Sequence, residues 1–137
     1  MIEATVRRAA PRRPSILLSE DDHGILVGLA IRDARRNPEA ARLLMEEADR
    51  AEVVPAARLP SNVVALGSHV VFTDEAHGVT RTVQLVLPSE ADIGQGRISI
   101  LSLVGAGLIG LKAGQSIDWP TQDGRLRRLS VTQVTAG

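Results

Sequence analysis

The chain of 137 residues contains no cysteine. A disulfide scaffold, a thiolate metal site and a cysteine nucleophile are therefore excluded. Aromatic residues are almost as scarce, because the sequence has one phenylalanine (Phe72), one tryptophan (Trp119) and no tyrosine. Base-stacking surfaces, aromatic cages and aromatic-lined ligand pockets need rings that this chain does not supply.

Net charge and long apolar runs are also missing. The 16 basic and 16 acidic side chains cancel, so nothing attracts the whole chain to nucleic acid or to anionic lipid. No apolar run approaches the ~20 residues that span a bilayer, and no apolar segment of a secretory signal follows the basic N-terminus. We expect a cytoplasmic protein without a membrane partner or sequence-specific nucleic-acid binding, and we also expect a monomer.

The N-terminal residues predict an arm and a helix. Residues 1–14 contain two arginine pairs and two prolines without a hydrophobic period, which predicts a disordered arm. Residues 19–36 predict a helix that begins with Ser19 as its N-cap. Asp22, three residues further on, would complete a capping box with this serine.

A second helix follows after a short break. Asn37 is a favourable N-cap, and Pro38 suits the first helical position because its missing N–H is not needed there. These signals predict a helix over residues 38–52, and the short break predicts an antiparallel helical hairpin over residues 15–54. The tip of this hairpin consists of Arg35, Arg36 and Asn37.

The second half of the chain has the pattern of strands. Residues 55–61 predict a linker, and beyond it the alternation in "VTRTVQLVLP" is typical of a strand. Asp123-Gly124 predicts a β-hairpin. Residues 98–119, "ISILSLVGAGLIGLKAGQSIDW", combine a strand, a short helix rich in glycine, alanine and leucine, and a second strand. Residues 62–137 therefore predict an antiparallel sheet of four or five strands with one short helix, and the whole chain an α+β fold.

No group of residues predicts catalysis, a cofactor or a metal site. His23, His69 and His77 lie apart and form no helical i, i+4 pair with another ligand. The "SEDD" at residues 19–22 is typical of helix capping rather than of cation binding. The "GAGLIG" at residues 105–110 has neither the Gly-Lys-Ser/Thr ending of a P-loop nor the spacing of a dinucleotide fingerprint. Its glycines instead predict that the short helix packs closely on the sheet. We therefore do not expect an enzyme.

Two segments of the second half of the chain resemble a known family. "LPSNVVALGSHVVFTD" and "PSEADIGQGRISILSLVGAGLIGLKAGQSIDW" resemble the C-terminal domain of the GreA/GreB family of bacterial transcript-cleavage factors, over about residues 59–135. The short N-terminal half, and the pattern Val-Gly-Ala-x-Leu-x-Gly-Leu from Val104, are similar to the regulators of nucleoside diphosphate kinase within that family.

The resemblance implies a C-terminal domain with the fold of FKBP-type prolyl isomerases, carried beside a helical hairpin. It also implies a non-enzymatic regulator that binds RNA polymerase near the secondary channel, and an effect on nucleoside diphosphate kinase that is direct or transcriptional. Gre factors help to hold the catalytic magnesium with acidic residues at the hairpin tip. Arg35 and Arg36 are cationic, and Mg²⁺ requires oxygen ligands, so we expect no stimulation of transcript cleavage.

The resemblance implies a docking surface at the corner before the short helix. The acidic loop Ser89–Gly96 lies on the other side of the strand start at residues 97–100, so we expect it to border the same surface. The two leucines of the corner either face a partner or belong to the core, and the sequence leaves both open. Two other functions also stay open: an FKBP-type prolyl isomerase, which needs an aromatic-lined pocket, and a small-molecule binding module. The docking candidates are Glu90, Asp92, Leu101, Ser102 and Leu103.

Overall fold

The computed structural model describes residues 12–137, so residues 1–11 of the predicted arm lie outside the described range. The described chain has a mixed α+β architecture with three helices. Its N-terminal half contains β1 (Leu17–Ser19), α1 (Glu20–Arg32), α2 (Pro38–Arg50) and β2 (Glu52–Val54). Its C-terminal half contains β3 (His69–Asp74), β4 (Val79–Val86), β5 (Arg97–Ser99), α3 (Leu103–Leu108), β6 (Ser116–Pro120) and β7 (Leu126–Thr135).

Helix α1 begins as the sequence predicts but is capped differently. The Oγ of Ser19 accepts the backbone N–H of Asp22 at 3.0 Å, which confirms Ser19 as the N-cap. The predicted capping box is wrong, because an Asp22 carboxylate oxygen accepts the N–H of Leu66 at 3.0 Å. That bond joins the start of the helix to the C-terminal half. The helix ends at Arg32 rather than at residue 36, since the following residues form the turn that leads into α2.

Helix α2 begins at Pro38, at the position that tolerates a missing N–H. Asn37 precedes it, but its side chain makes no capping hydrogen bond, so the capping role predicted for that side chain is wrong. Helices α1 and α2 pack against each other, and α2 also packs against α3. The buried positions of α2 are Ala40, Ala41, Leu43, Leu44, Glu47 and Ala48.

The main sheet has five strands in the order β5-β4-β3-β7-β6. Its pairs are antiparallel except for β4 and β5, which run parallel with Gln84 opposite Arg97 and Val86 opposite Ser99. The expected all-antiparallel sheet is therefore wrong at this edge. The reason is the connection over residues 87–96, which is longer than a tight hairpin turn and returns the chain to enter β5 in the direction of β4.

Two further features concern strand pairing. The hairpin predicted at Asp123-Gly124 is present, because β6 and β7 are antiparallel neighbours and Gly124 has a φ of +84°. Strands β1 and β2 form a separate parallel pair, with Leu18 opposite Val53, which the sequence did not predict. This small sheet brings the chain before α1 next to the chain after α2.

Both halves of the chain contribute to one hydrophobic core. Leu26 and Leu44 from the two long helices belong to the same buried cluster as Leu85 and Trp119 from the sheet. The predicted linker, residues 55–61, connects the halves and includes a 3-10 turn, but it does not separate two cores. Within residues 12–137 no helix is long and apolar enough to cross a membrane.

The predicted disordered arm is wrong at its C-terminal end, residues 12–14. The backbone N–H of Arg12 donates to a carboxylate oxygen of Asp118 at 3.0 Å, and the N–H of Asp118 donates to the Arg12 carbonyl at 2.8 Å. The carbonyl of Ser15 accepts a hydrogen bond from the side chain of Gln115 at 3.3 Å. Residues 12–15 therefore lie along the exposed edge of β6 and cover it.

Candidate functional site

The acidic loop is organised by hydrogen bonds of its own backbone. Residues Pro88–Glu90 and Ile93–Gln95 form two 3-10 turns. Asp92 and Arg97 exchange both backbone N–H···O=C bonds, at 2.9 and 3.0 Å. Gly96 closes the second turn with a φ of +73°, a conformation that favours glycine. The loop is therefore held in one shape by its own backbone.

This loop presents one exposed apolar side chain and two exposed carboxylates. Ile93 is 86% exposed, the largest exposed fraction among the large hydrophobic side chains of residues 12–137. Glu90 and Asp92, two of the predicted docking residues, are also exposed. A fixed, exposed isoleucine beside carboxylates is suited to a partner that is apolar and basic. The sequence analysis did not single out Ile93, although its place between Asp92 and Gly94 in the loop marks it as a surface residue.

The corner before α3 is organised by Ser102. Its Oγ donates to the carbonyl of Ser99 at 2.6 Å and accepts the N–H of Gly105 at 3.0 Å. Ser102 is thus the N-cap of α3. Leu101 is buried with 5% exposure and belongs to the core, whereas Leu103 is half-buried and packs on the edge of the core. Of the two corner leucines, only Leu103 presents surface to a partner.

Helix α3 lies very close to the sheet because its glycines permit it. A Cβ on Gly107 would lie 2.8 Å from the nearest ring atom of Trp119. The indole N–H of Trp119 donates to the carbonyl of Leu103 at 2.6 Å, and the ring is fully buried. The "GAGLIG" segment therefore serves packing, as the sequence analysis inferred, and fixes the position of the Ser102 corner.

The connection between α1 and α2 carries a positive charge. Arg35, Arg36 and Asn37 are all exposed, as expected of a tip. Asp33 is the one carboxylate between the helices, so residues 33–37 carry one negative and two positive charges. Within residues 12–137 no three histidine, aspartate or glutamate side chains are grouped so that they could hold a metal ion.

A buried ion-pair cluster joins α2 to the N-terminal segment. Glu47 is fully buried, and its two carboxylate oxygens accept from Nη2 and Nε of Arg50 at 2.6 and 2.8 Å. Nη1 of Arg13 donates to Glu47 at 3.2 Å and to Glu46 at 3.0 Å. The guanidinium of Arg13 also lies 5.0 Å from the centre of the Trp119 ring. Arg13 therefore contacts α2 and the ring that supports α3.

Two carboxylates, one on each long helix, have shifted pKa values. Partial burial opposes ionisation of Glu46, but the hydrogen bond from Arg13 and the charge of Arg42 outweigh it and lower the Glu46 pKa. Burial raises the pKa of Asp22, the backbone N–H of Leu66 lowers it, and the charge of Asp21 raises it further. Neither carboxylate lies in a cavity that could hold a substrate. Sequence reasoning missed the ion-pair cluster because Arg13 lies 33 positions before Glu46 and 34 before Glu47 along the chain.

The aromatic side chains are not available to a ligand. Phe72 is 3% exposed and Trp119 is 0% exposed, so neither ring lines an open pocket. His23 lies in α1, whereas His69 begins β3 and His77 follows the other end of that strand. The structure brings the acidic loop and the Ser102 corner to the two ends of β5. The predicted tip, residues 35–37, lies between α1 and α2, and the end of α1 shares a groove with the first residues after β4.

Comparison with known proteins gives consistent results. A family model described as the C-terminal part of the transcription elongation factors GreA/GreB matches residues 59–136. A regulator of nucleoside diphosphate kinase from Escherichia coli (strain K12) is 30% identical over 122 residues, which cover 89% of this chain and 90% of that protein. A transcription elongation factor GreA from Rhodospirillum rubrum is 35% identical over 133 residues, which cover 91% of this chain and 84% of that protein.

A solved structure is also similar. The prokaryotic transcription elongation factor GreA/GreB from Nitrosomonas europaea superposes with a TM-score of 0.69 at 33% identity, and the match covers 90% of this chain and 99% of that one. The names of these relatives describe a regulator and elongation factors rather than enzymes. The family model spans more than half of the sequence, and two relatives match along most of their length. This chain belongs to the GreA/GreB family of transcription elongation factors.

Proposed function

We propose that this chain is a non-enzymatic regulator of the nucleoside diphosphate kinase regulator type, which docks on RNA polymerase near the secondary channel and does not stimulate transcript cleavage. Family membership supports the polymerase as partner. The observation that carries the second part is the tip between α1 and α2, where Arg35 and Arg36 are exposed and one carboxylate is present.

The length of the two long helices and the charge of the tip between them support the proposal that this chain does not stimulate transcript cleavage. Each has 13 residues, which corresponds to about 20 Å at 1.5 Å per residue. An antiparallel hairpin of this length is part of the proposal, and the short connection over residues 33–37 supports it. A magnesium ion brought to this tip would meet Asp33 and two guanidinium groups. Like charges repel, and Mg²⁺ needs several oxygen ligands, so the tip is unsuited to hold it.

The C-terminal half supplies the docking surface in this proposal. An FKBP-like arrangement of residues 62–137 is part of it, supported by the five-stranded sheet packed on α3. The surface consists of Ile93 and the acidic side chains beside it, Glu90 and Asp92, with Leu103 at its margin. An exposed apolar centre with an acidic rim fits a basic, amphipathic helix of the polymerase.

Capture by purified core RNA polymerase tests the docking. The immobilised polymerase should retain the wild-type chain, and Ile93→Asp should reduce the retained amount at least about tenfold, since a central apolar contact is replaced by a charge. Leu126→Asp is the matched control, because Leu126 is also exposed, at 53%, but lies at the start of β7. The proposal fails if the polymerase does not retain the wild-type chain.

Leu103→Asp tests the corner at residue level. Because Leu103 is half-buried, the thermal stability of the Leu103→Asp variant has to be measured together with its capture by polymerase. Loss of capture with the fold retained supports a contact at the corner. Retention of both would remove Leu103 from the docking surface and leave the acidic loop as the contact. Loss of the fold assigns Leu103 to the core, where Leu101 already lies.

A further inference from the structure

The solvent face of α1 carries exposed isoleucines and two glycines. Ile31 is 66% exposed and Ile25 is 41% exposed. Gly24 and Gly28 lie on the same face, since they are spaced by four residues and Ile31 follows three residues after Gly28. The opposite face of the helix is buried through Leu26 and Ala30. An apolar, small-residue face thus points away from the core.

The fold does not explain these two glycines. A Cβ built at Gly24 or Gly28 meets nothing within 4 Å, and neither glycine has a positive φ. By contrast, a Cβ at Gly107 would collide with Trp119. Glycine inside a helix lowers its stability relative to alanine, so two unneeded glycines weaken α1. Their use is to let another helix come close to the α1 backbone.

The two ends of this face carry opposite charges. Glu20 and Asp21 are exposed at the start of α1, and Arg32, Arg35 and Arg36 are exposed at and beyond its end. None of the five forms an ion pair with another residue of the described range, 12–137. An antiparallel copy of the same face would bring acidic side chains opposite basic ones at both ends.

We propose that this face is the interface of a homodimer, in which α1 packs antiparallel against α1 of a second copy around a two-fold axis at Gly28. Residues whose numbers are equally far from 28 then face each other. Ile25 of one copy lies opposite Ile31 of the other, and Asp21 near the start of α1 lies beside the turn after α1, which carries Arg35. In a two-fold interface each such contact occurs twice. The dimer revises the expectation of a monomer.

Shallow apolar grooves flank this face and fit the same pairing. On one side, Ile31 borders a groove between α1 and α2, lined also by Ala34 and Met45. On the other side, Ile25 borders a groove shared with Leu87 and further residues of the loop after β4. In the antiparallel pair, Ile25 of the second copy reaches the first groove and Ile31 reaches the second. Each isoleucine thereby gains an apolar environment.

Self-complementarity is the reason for choosing a second copy as occupant. A helix of another protein would need apolar side chains and two charged ends matched to α1 in a single register. The α1 sequence itself meets this requirement, because its isoleucines and its opposite charges are both symmetric about Gly28. One contact between two short helices is small, so the association should be weak and visible only at high concentration.

Sedimentation equilibrium of the wild-type chain is the first measurement. The apparent mass should rise from the chain mass of 14.6 kDa towards twice that value as the concentration increases from about 5 to about 500 μM, the range of a weak interface. Raising the salt to about 1 M should weaken the association, because the paired charges are screened. A mass that stays at 14.6 kDa over the whole range overturns the proposal.

Gly28→Gln tests the close approach. Glutamine is a good helix former and the site is open in the single chain, so helix content should be retained or increase. Its side chain should keep the two helices apart, and the dimer dissociation constant should rise at least about tenfold. A dimer that tolerates this substitution uses another surface and contradicts the proposal. If Gly28→Gln lowers polymerase capture while no dimer forms at any concentration, the polymerase is the occupant and the proposal is wrong.

A charge swap tests the register. Asp21→Arg alone and Arg35→Asp alone should each weaken the homodimer about fivefold or more, since each places like charges opposite each other twice. An equimolar mixture of the two variants should associate at least as strongly as the wild type, because the opposite charges then face each other again. Absence of this rescue in the mixture would overturn the antiparallel register centred on Gly28.

Discussion

Replacing Gly107 by alanine tests how α3 packs on the sheet. The added Cβ would lie 2.8 Å from Cε2 of Trp119 and 2.9 Å from Cδ1 and Cδ2. Carbon atoms in ordinary contact are about 3.5–4.0 Å apart, so the ring or the helix has to move by roughly 0.7 Å or more. The ring cannot move freely, because it is fully buried and donates a 2.6 Å hydrogen bond to Leu103.

The magnitude follows from two opposing effects. Overpacking of this kind costs about 1–3 kcal/mol, whereas alanine stabilises a helix interior relative to glycine by about 1 kcal/mol. Because the indole is held by its hydrogen bond and is buried on both faces, we expect an overpacking cost in the upper half of the 1–3 kcal/mol range, about 2–3 kcal/mol. The net loss is about 1–2 kcal/mol, which lowers the Tm by roughly 4–8 °C for a chain of this size. Gly107→Leu adds more atoms to the same collision and should lose more.

Urea denaturation followed by circular dichroism measures both variants, and Gly24→Ala is the matched control. Gly24 also lies in a helix, but a Cβ there meets nothing within 4 Å. Gly24→Ala should therefore raise the free energy of unfolding by about 0.5–1 kcal/mol when measured on a dilute sample. The same residue change thus has opposite signs at the two sites. A Gly107→Ala variant as stable as the wild type would refute the packing argument.

Two further predictions concern buried carboxylates. Glu47→Gln should lower the free energy of unfolding by about 2–3 kcal/mol, because it leaves Arg50 without its charged partner in a partly buried site. Glu39→Gln is the control: Glu39 pairs with Arg42 on the surface, so its loss should lower the free energy of unfolding by less than about 0.5 kcal/mol. Asp22→Asn keeps an oxygen for the Leu66 N–H but removes the charge. Burial raises the Asp22 pKa, so the folded wild type binds its proton more tightly than the unfolded chain and loses stability as the pH rises through the raised value. The stability gained by Asp22→Asn should therefore grow from about pH 3 upward and level off above that pKa; a constant difference across this range would show that the carboxyl is not perturbed.

Local signals in the sequence predicted the helices and several strands well. Ser19 can accept a backbone N–H at a helix start, and Pro38 suits the first helical position. Helix α1 begins one residue after Ser19, and α2 begins at Pro38. Asp123-Gly124 predicted a hairpin, and the hairpin is present with a connection over residues 121–125 in which Gly124 has a φ of +84°. The glycines around residue 107 predicted close packing, and the Trp119 ring is the group they approach.

Contacts between residues that are distant in sequence could not be predicted from local sequence patterns. The parallel entry of β5 beside β4 depends on the path of residues 87–96, which no periodicity describes. Asp22 has the spacing of a capping box, but its carboxylate binds the N–H of Leu66, which is 44 residues away. Arg13 resembled part of an unstructured arm because its partners, Glu46 and Glu47, are distant in sequence. The sequence could not show which of Leu101 and Leu103 belongs to the core, because only the structure gives their burial.

Transcript cleavage in backtracked RNA polymerase complexes decides whether this chain docks without stimulating cleavage. The measurement is the rate of transcript shortening in the presence of Mg²⁺, with this chain alone and with this chain added to a cleavage-stimulating GreA. We expect no shortening above background with this chain alone, because Arg35 and Arg36 occupy its tip. We also expect increasing amounts of this chain to slow the GreA-dependent reaction, since both would dock at the same site. The proposed function is wrong if this chain alone causes metal-dependent shortening, or if a large excess of it leaves the GreA-dependent rate unchanged.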